Sequence, residues 1–145
     1  MNIHLLKKEK HQEVVSLSLY VFTTCNAADY NEEGLGIFKS FIYDEERMNE
    51  LTIWGAFQEN ALVGVLGIRE KNNHISLFFI HPDYQQQGIG KKLFDSMMAA
   101  LKSKSMTVNA STTAVPFYTK LGFSKLSEPT NYHGLISVPM ELLFF

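Results

Sequence analysis

The chain has 145 residues, an apolar share of 46%, a charged share of 19% and a net charge of −2. That balance predicts one folded domain over residues 1–145 with a sizeable core, and excludes a disordered chain and a broad basic field for nucleic acid or an anionic membrane surface. No apolar run approaches the roughly 18 residues of a membrane-crossing helix, and the single cysteine, Cys25, excludes an internal disulfide and a multi-cysteine metal site. No metal is expected, and a lone thiol fits the reducing cytoplasm. The first residues, MNIHLLKKEKHQ, lack the sustained apolar stretch of a secretory signal.

Taken in order, Ile3 to Leu6 reads as a short strand and His11 to Phe22 as a helix carrying Val14, Val15, Leu17, Leu19, Val21 and Phe22. Thr23 to Glu33 is polar and reads as a loop, made acidic by Asp29, Glu32 and Glu33. Leu35 to Leu51 sets Phe38, Phe41, Ile42 and Met48 at helical spacing. The period then changes. Thr52 to Gln58 and Ala61 to Arg69 read as two strands joined at Glu59-Asn60, with Trp54 in the core. Gly64 and Gly67 mark a bulge or a close backbone approach. Lys71-Asn72-Asn73 turns the chain into an apolar strand, Ile75 to Ile80, which His81-Pro82-Asp83 ends.

Gln85-Gln86-Gln87-Gly88-Ile89-Gly90 follows, and then an amphipathic helix to about Lys104 with Ile89, Leu93, Phe94, Met97, Met98 and Leu101 on its stripe. Met106 to Ala110 is a further strand, and the intervening helix makes its pairing with Ile75–Ile80 parallel. Thr113 to Leu121 reads as the last helix, capped by Ser111 or Thr112 and stopped by Gly122. Phe123 to Leu126 and Leu135 to Leu142 complete a mixed, mainly antiparallel sheet of about seven strands with about four helices. The apolar end, Leu142 to Phe145, is either plain core or an edge for a homodimer contact.

Strand, glycine loop and helix start together present several unpaired N–H groups to one anion. A dinucleotide fingerprint needs a third glycine where Leu93 stands, and a Walker A loop needs glycine at Gln85 and Ser or Thr at Lys92; neither fits. Lys91 and Lys92 occupy the helix's first turn, which disfavours cations by roughly 0.3–1 kcal/mol each. They are either two solvated lysines or partners of a bound polyphosphate.

Gln85-x-x-Gly88-x-Gly90 resembles motif A of the GCN5-related N-acetyltransferase (GNAT) family, and Val115-Pro-Phe-Tyr-x-x-Leu-Gly-Phe123 resembles its motif B. The two motifs stand in the family's order and spacing, and with the preceding hairpin and helices the resemblance covers essentially the whole chain. It implies a GNAT fold whose parallel strands splay apart, acetyl-CoA as co-substrate and an amine acceptor, either a small molecule or a protein amine. Backbone groups near Phe78, Phe79 and Ile80 would pair with the pantetheine arm as an added strand would. The pyrophosphate would lie on the amides of Gln85, Gln86, Gln87, Gly88, Ile89 and Gly90, beside Lys91. Gln85 replaces the arginine common there, which loses a cation and keeps a donor.

By the same resemblance, a backbone N–H at Ile80 is the oxyanion donor and Tyr118 the general acid; by spacing alone Tyr118 reads as a core aromatic with its hydroxyl at the surface. The family's cofactor-steadying asparagine falls at Ser111, with Asn109 two residues earlier, and either could serve. The general base is open among Glu70, His74, His81, Asp83 and the acidic trio Asp29, Glu32 and Glu33. Acidity in the Thr23–Gly34 loop would suit a cationic amine. A catalytically silent acyl-CoA sensor or interaction module on the same fold is the alternative to an enzyme.

Overall fold

The computed structural model describes residues 1–144. The chain opens with strand β1 (Asn2–Leu5) and helices α1 (His11–Cys25), α2 (Glu32–Ile42) and α3 (Glu45–Asn49). A meander follows: β2 (Leu51–Gln58), β3 (Ala61–Arg69) and β4 (His74–Ile80). Next come α4 (Ile89–Ala100), β5 (Ser105–Ala110), α5 (Val115–Leu121), β6 (Ser124–Lys125), β7 (Thr130–Tyr132) and β8 (Leu135–Leu143). One sheet runs in the order β1-β2-β3-β4-β5-β8-β6, with β7 paired to β8. Among the described residues no helix is long and apolar enough to cross a membrane.

Among the described residues the sheet has eight strands where about seven were expected, and there are five α-helices where about four were expected. The extra helix arises because Leu35–Leu51 is not continuous. Asp44 accepts hydrogen bonds from the N–H groups of Glu46 (3.0 Å) and Arg47 (3.2 Å), starting α3. Leu51 already belongs to β2. Asn31 caps α2 through the Gly34 N–H at 2.9 Å, so Glu32 and Glu33 form its first turn and satisfy the helix dipole there rather than lying in a loop. The extra strand, β7, joins β8 through His133 and Gly134, both at positive φ (50° and 89°), which is the backbone of a tight hairpin turn. Helix α4 stops at Ala100, short of Lys104, because Leu101 is already extended.

Helices α1 to α3 cover one face of the sheet. Val14, Leu17, Val21, Phe22, Phe38 and Ile42 pack there on Ile53, Val65 and Leu77. Helices α4 and α5 cover the other, where Ile89, Leu93, Phe94, Met97 and Phe123 meet Trp54, Leu66, Ile68 and Val108. Burial on both faces explains the near-continuous apolar runs of β3 and β4. At the far end of β8, Leu142 is buried and Leu143 is 60% exposed; Phe145 lies outside the described residues.

The feature that positions the site is the parallel pair. β4 and β5 are in register only at His74↔Thr107 and Ile75↔Val108. From Ser76 to Ile80 the β5-facing edge of β4 has no strand beside it. At about 3.3 Å per residue this opens a slot some 16 Å long. A bulge adds to it: Leu77 pairs with Gly67 and Ile75 with Ile68, which leaves Ser76 unopposed at the mouth of the slot.

Candidate active site

Alternation of the β3–β4 ladder decides which backbone groups the slot exposes. The His81 N–H bonds the Val63 carbonyl at 2.8 Å, and the register continues through Gly64↔Ile80, Val65↔Phe79 and Leu66↔Phe78. In an antiparallel pair, bonded and non-bonded residues alternate. Phe79 therefore directs its backbone to β3, whereas Phe78 and Ile80 direct theirs into the slot. The Ile80 carbonyl is taken by the Gln85 side chain at 2.9 Å. The Ile80 N–H and both backbone groups of Phe78 stay available.

The glycine loop closes one end. Gln86 and Gly88 have positive φ (61° and 82°) with Gln87 between them, an alternation that turns successive amides toward one point. Gly88 directly precedes α4, and the first intrahelical bond runs from the Lys92 N–H to the Gly88 carbonyl. The N–H groups of Ile89, Gly90 and Lys91 thus have no intrahelical acceptor. A side chain at Gly88 would meet open space, so its glycine serves the left-handed φ. A Cβ at Gly90 would come within 3.0 Å of the Phe117 ring, so that glycine lets α5 pack on the start of α4. Gln85 also donates to Cys25 Sγ at 3.6 Å. Its amide clasps the loop to the end of β4 and to α1.

Two cavities meet at the slot. The first, about 650 Å³, is lined by Phe78, Ile80, the Gln85–Gln86 turn, Gly88 to Lys91 and the α5 residues Phe117 and Tyr118. The second, about 520 Å³, lies under α2 and the β7–β8 hairpin, and His74, Ser76, Asn109 and Tyr132 are among its lining. Asn26, Phe79 and Ser111 border both. The arrangement suits a two-substrate reaction with each reactant entering from its own side.

Tyr118 is buried, 5% exposed, with Phe123, Phe117 and Phe78 ring centroids 5.3, 5.4 and 6.0 Å away. Among the described residues its hydroxyl has no hydrogen-bond partner, and it is not one of the oxygens sealed into the core, a position held by Ser18 Oγ. Burial pushes the phenol well above its ordinary value, so it holds its proton at any physiological pH. His74 shares its Nδ1 with Thr107 Oγ1 at 2.8 Å. Burial, then the nearby Arg69 cation, lowers its pKa below the usual 6.5. It is a neutral imidazole in the second cavity at pH 7.

The comparisons with known proteins agree with this geometry. Residues 26–144 match the acetyltransferase (GNAT) domain. The chain belongs to the GNAT acetyltransferase family. An uncharacterized N-acetyltransferase of Escherichia coli K12, YafP, is 29% identical over 85 residues, 58% of this chain and 53% of that protein; the chain thus matches about half the length of that curated relative. A GCN5-related N-acetyltransferase from Rhodopseudomonas palustris superposes with a TM-score of 0.83 at 21% identity, covering 99% of this chain and 95% of that one. The PaiA N-acetyltransferase of Thermoplasma acidophilum, solved in complex with coenzyme A, gives 0.75 at 22% identity, covering 99% and 100%. The GNAT fold is shown.

Within this GNAT fold the motif residues Phe78, Phe79, Ile80, Gln85, Gln86, Gly88, Ile89, Gly90, Lys91, Ser111 and Tyr118 come together around the first cavity. Gln87 does not line it; its amide bonds the Asp83 carbonyl at 3.3 Å. Asn109 lines the second cavity only. Lys91 borders the first cavity while paired with Asp95 at 2.7 Å. Of the base candidates, His81 stacks on Tyr20 and accepts from the Asp83 N–H outside both cavities, and Glu32, Glu33, Glu70 and Asp83 are exposed. Asp29 lines the second cavity but is 4% exposed, and both its oxygens are occupied: Oδ2 accepts from the Thr112 N–H at 2.8 Å and Oδ1 from its hydroxyl at 2.6 Å. It ties the α1–α2 connection across the slot to the start of α5. No local signal pairs residues 29 and 112, which are far apart in sequence.

Proposed function

We propose that this GNAT protein is an enzyme that moves an acetyl group from acetyl-CoA to an amine, in a reducing compartment such as the cytoplasm. The observation that carries the reading is the splayed β4 edge, with free Phe78 and Ile80 N–H groups and Tyr118 on one side and a separate cavity holding a neutral His74 on the other. The donor fits. Phe78 offers an unpaired N–H and C=O, the pairing an extended amide arm needs, and the loop amides from Gln86 to Lys91 suit a pyrophosphate.

Acetyl-CoA supplies a thioester carbonyl that an uncharged amine attacks. The Ile80 N–H, fixed by the ladder and facing the slot, donates to the carbonyl oxygen as it gains charge. The proton the amine sheds as the C–N bond forms goes to solvent water in the junction; His74, six residues from Ile80 along β4 and roughly 20 Å away at about 3.3 Å per residue, stands too far from the reacting carbon to take it through one water. Tyr118 gives its proton to the sulfur as the C–S bond breaks and recovers one from solvent. Ser111 and Phe79 line the junction where the two reactants meet; Asn109 faces the acceptor.

The experiment is release of free thiol from acetyl-CoA over a panel of amines; binding without release on any amine would favour a silent sensor. His74 stands beside Arg69 at the far end of the second cavity, so its titration should not shape the pH profile, and His74→Gln should keep the wild-type acid limb of kcat/KM. A limb erased in the variant would put His74 in the proton transfer after all.

A further inference from the structure

The second cavity carries cations. Arg47 of α3 and Arg69 at the end of β3 both line it. Among the described residues its one carboxylate is Asp29, and both its oxygens are occupied by Thr112. Arg69 Nε donates to Asn72 Oδ1 at 3.1 Å, and among the described residues no carboxylate pairs with its guanidinium. Arg47 Nε lies 3.7 Å from Asp44 in an exposed pair, the kind of contact a better partner displaces. The acidic wall expected from the Thr23–Gly34 loop is absent from this cavity, since Glu32 and Glu33 point to solvent at the start of α2.

Position along the sheet matters as much as charge. Arg69 stands opposite His74 on one side and Leu51 on the other, in the row where β4 and β5 are still paired. Phe79, at the junction of the cavities, lies five residues further along β4, roughly 16 Å at about 3.3 Å per residue. The bulge at Ser76 and the length of an arginine side chain shorten that gap without closing it. Phe38, Phe41, Ile75, Leu135 and Ile136 line the same cavity and are apolar.

We infer that the acceptor is an elongated amine with a carboxylate at its far end, held by Arg69 with Arg47 beside it, and with an apolar section in between. A guanidinium meets a carboxylate through two parallel N–H···O bonds, which fixes its direction as well as its affinity. An α-amino acid carries both groups on one carbon and cannot reach from Arg69 to the junction. An ω-amino acid of six to eight carbons, or a peptide of two or three residues spanning about 7–11 Å, can. The inference rests on the acetyl-transfer reading.

The test is a ladder of glycine, 4-aminobutyrate, 6-aminohexanoate and 8-aminooctanoate, each against the alkylamine of equal length, read as thiol release after acetyl-CoA binding is measured by calorimetry. The six- and eight-carbon acids should exceed both glycine and their own alkylamines in kcat/KM by about tenfold or more. Arg69→Gln should collapse the acid-to-alkylamine ratio through KM, and Arg69→Lys should restore part of it, with acetyl-CoA affinity reporting that each variant is folded. Equal or better turnover of the alkylamines or of a polyamine, no turnover of any acid in the ladder, or an unchanged ratio in Arg69→Gln overturns the inference while leaving acetyl transfer standing. Failure to bind acetyl-CoA at all removes the acetyl-transfer reading and this one with it.

Discussion

Tyr118→Phe should lower kcat by about 10²- to 10⁴-fold while the affinity for acetyl-CoA changes little. The substitution removes one oxygen and keeps the ring that packs edge-on against Phe78, Phe117 and Phe123. No described residue loses a hydrogen-bond partner, so stability should hold. In water, a thiolate whose acid has a pKa of about 8.5 is too weak a base to take a proton fully from a phenol of about 10. Burial raises the Tyr118 value further, but the same apolar surroundings raise the proton affinity of a thiolate leaving beside it. What the phenol supplies is a proton already in place and shared as the C–S bond lengthens. Michaelis parameters with stopped thiol detection, together with calorimetric acetyl-CoA binding, check this. An unaltered kcat would mean that water protonates the sulfur.

The second large effect concerns the acceptor wall. A methyl group on Gly34 would land on the carbonyl oxygen of Gly134, which itself accepts the Asn31 N–H at 3.0 Å. Gly134 meanwhile crowds the Asn31 side chain that caps α2. Helix start and hairpin turn are interlocked backbone against backbone, so neither can yield by a rotamer change. Gly34→Ala should therefore destabilise by about 3 kcal/mol, the upper end for overpacking, and lower Tm by roughly 10 °C. Because α2 and the hairpin build only the second cavity, KM for the amine should rise more than the Kd for acetyl-CoA. Scanning calorimetry and paired titrations measure both; a wild-type Tm would show that the two turns separate freely.

The parts legible in the sequence were those with local chemistry. β3 runs from Ala61 to Arg69 as its pattern says. The loop from Gln85 to Gly90 feeds the helix that its apolar stripe demands, and Phe117-Tyr118 sits where motif B puts it. What local spacing could not give was the second cavity. Its walls come from α2, α3, the ends of β2, β3 and β4, and the β7–β8 hairpin, and no short window contains two of its charged groups. Arg47 and Arg69 carry no local signal in the sequence, and only the fold sets them in one cavity. Asp29 read as an acid available for chemistry until Thr112, 83 residues away, occupied both its oxygens. Gln85 read as a phosphate donor, yet its amide fastens the loop to Ile80 and Cys25. Two missed elements had a local signal: Asp44, a capping residue ahead of α3, and His133-Gly134, a glycine closing a two-residue turn ahead of an apolar strand.

On the proposed reading, acetyl-CoA lies along the open edge of β4, in the slot beside Phe78 and Ile80. Isothermal titration of the full chain with acetyl-CoA tests this, with a Gly88→Val variant as comparison, since that side chain is strained at φ +82° and would pull the loop backbone out of the conformation that gathers its amides. The wild-type chain should show a single saturable site at micromolar concentration, and the variant should bind at least about tenfold more weakly. No heat of binding up to high micromolar acetyl-CoA, or equal affinity in the two proteins, would contradict it.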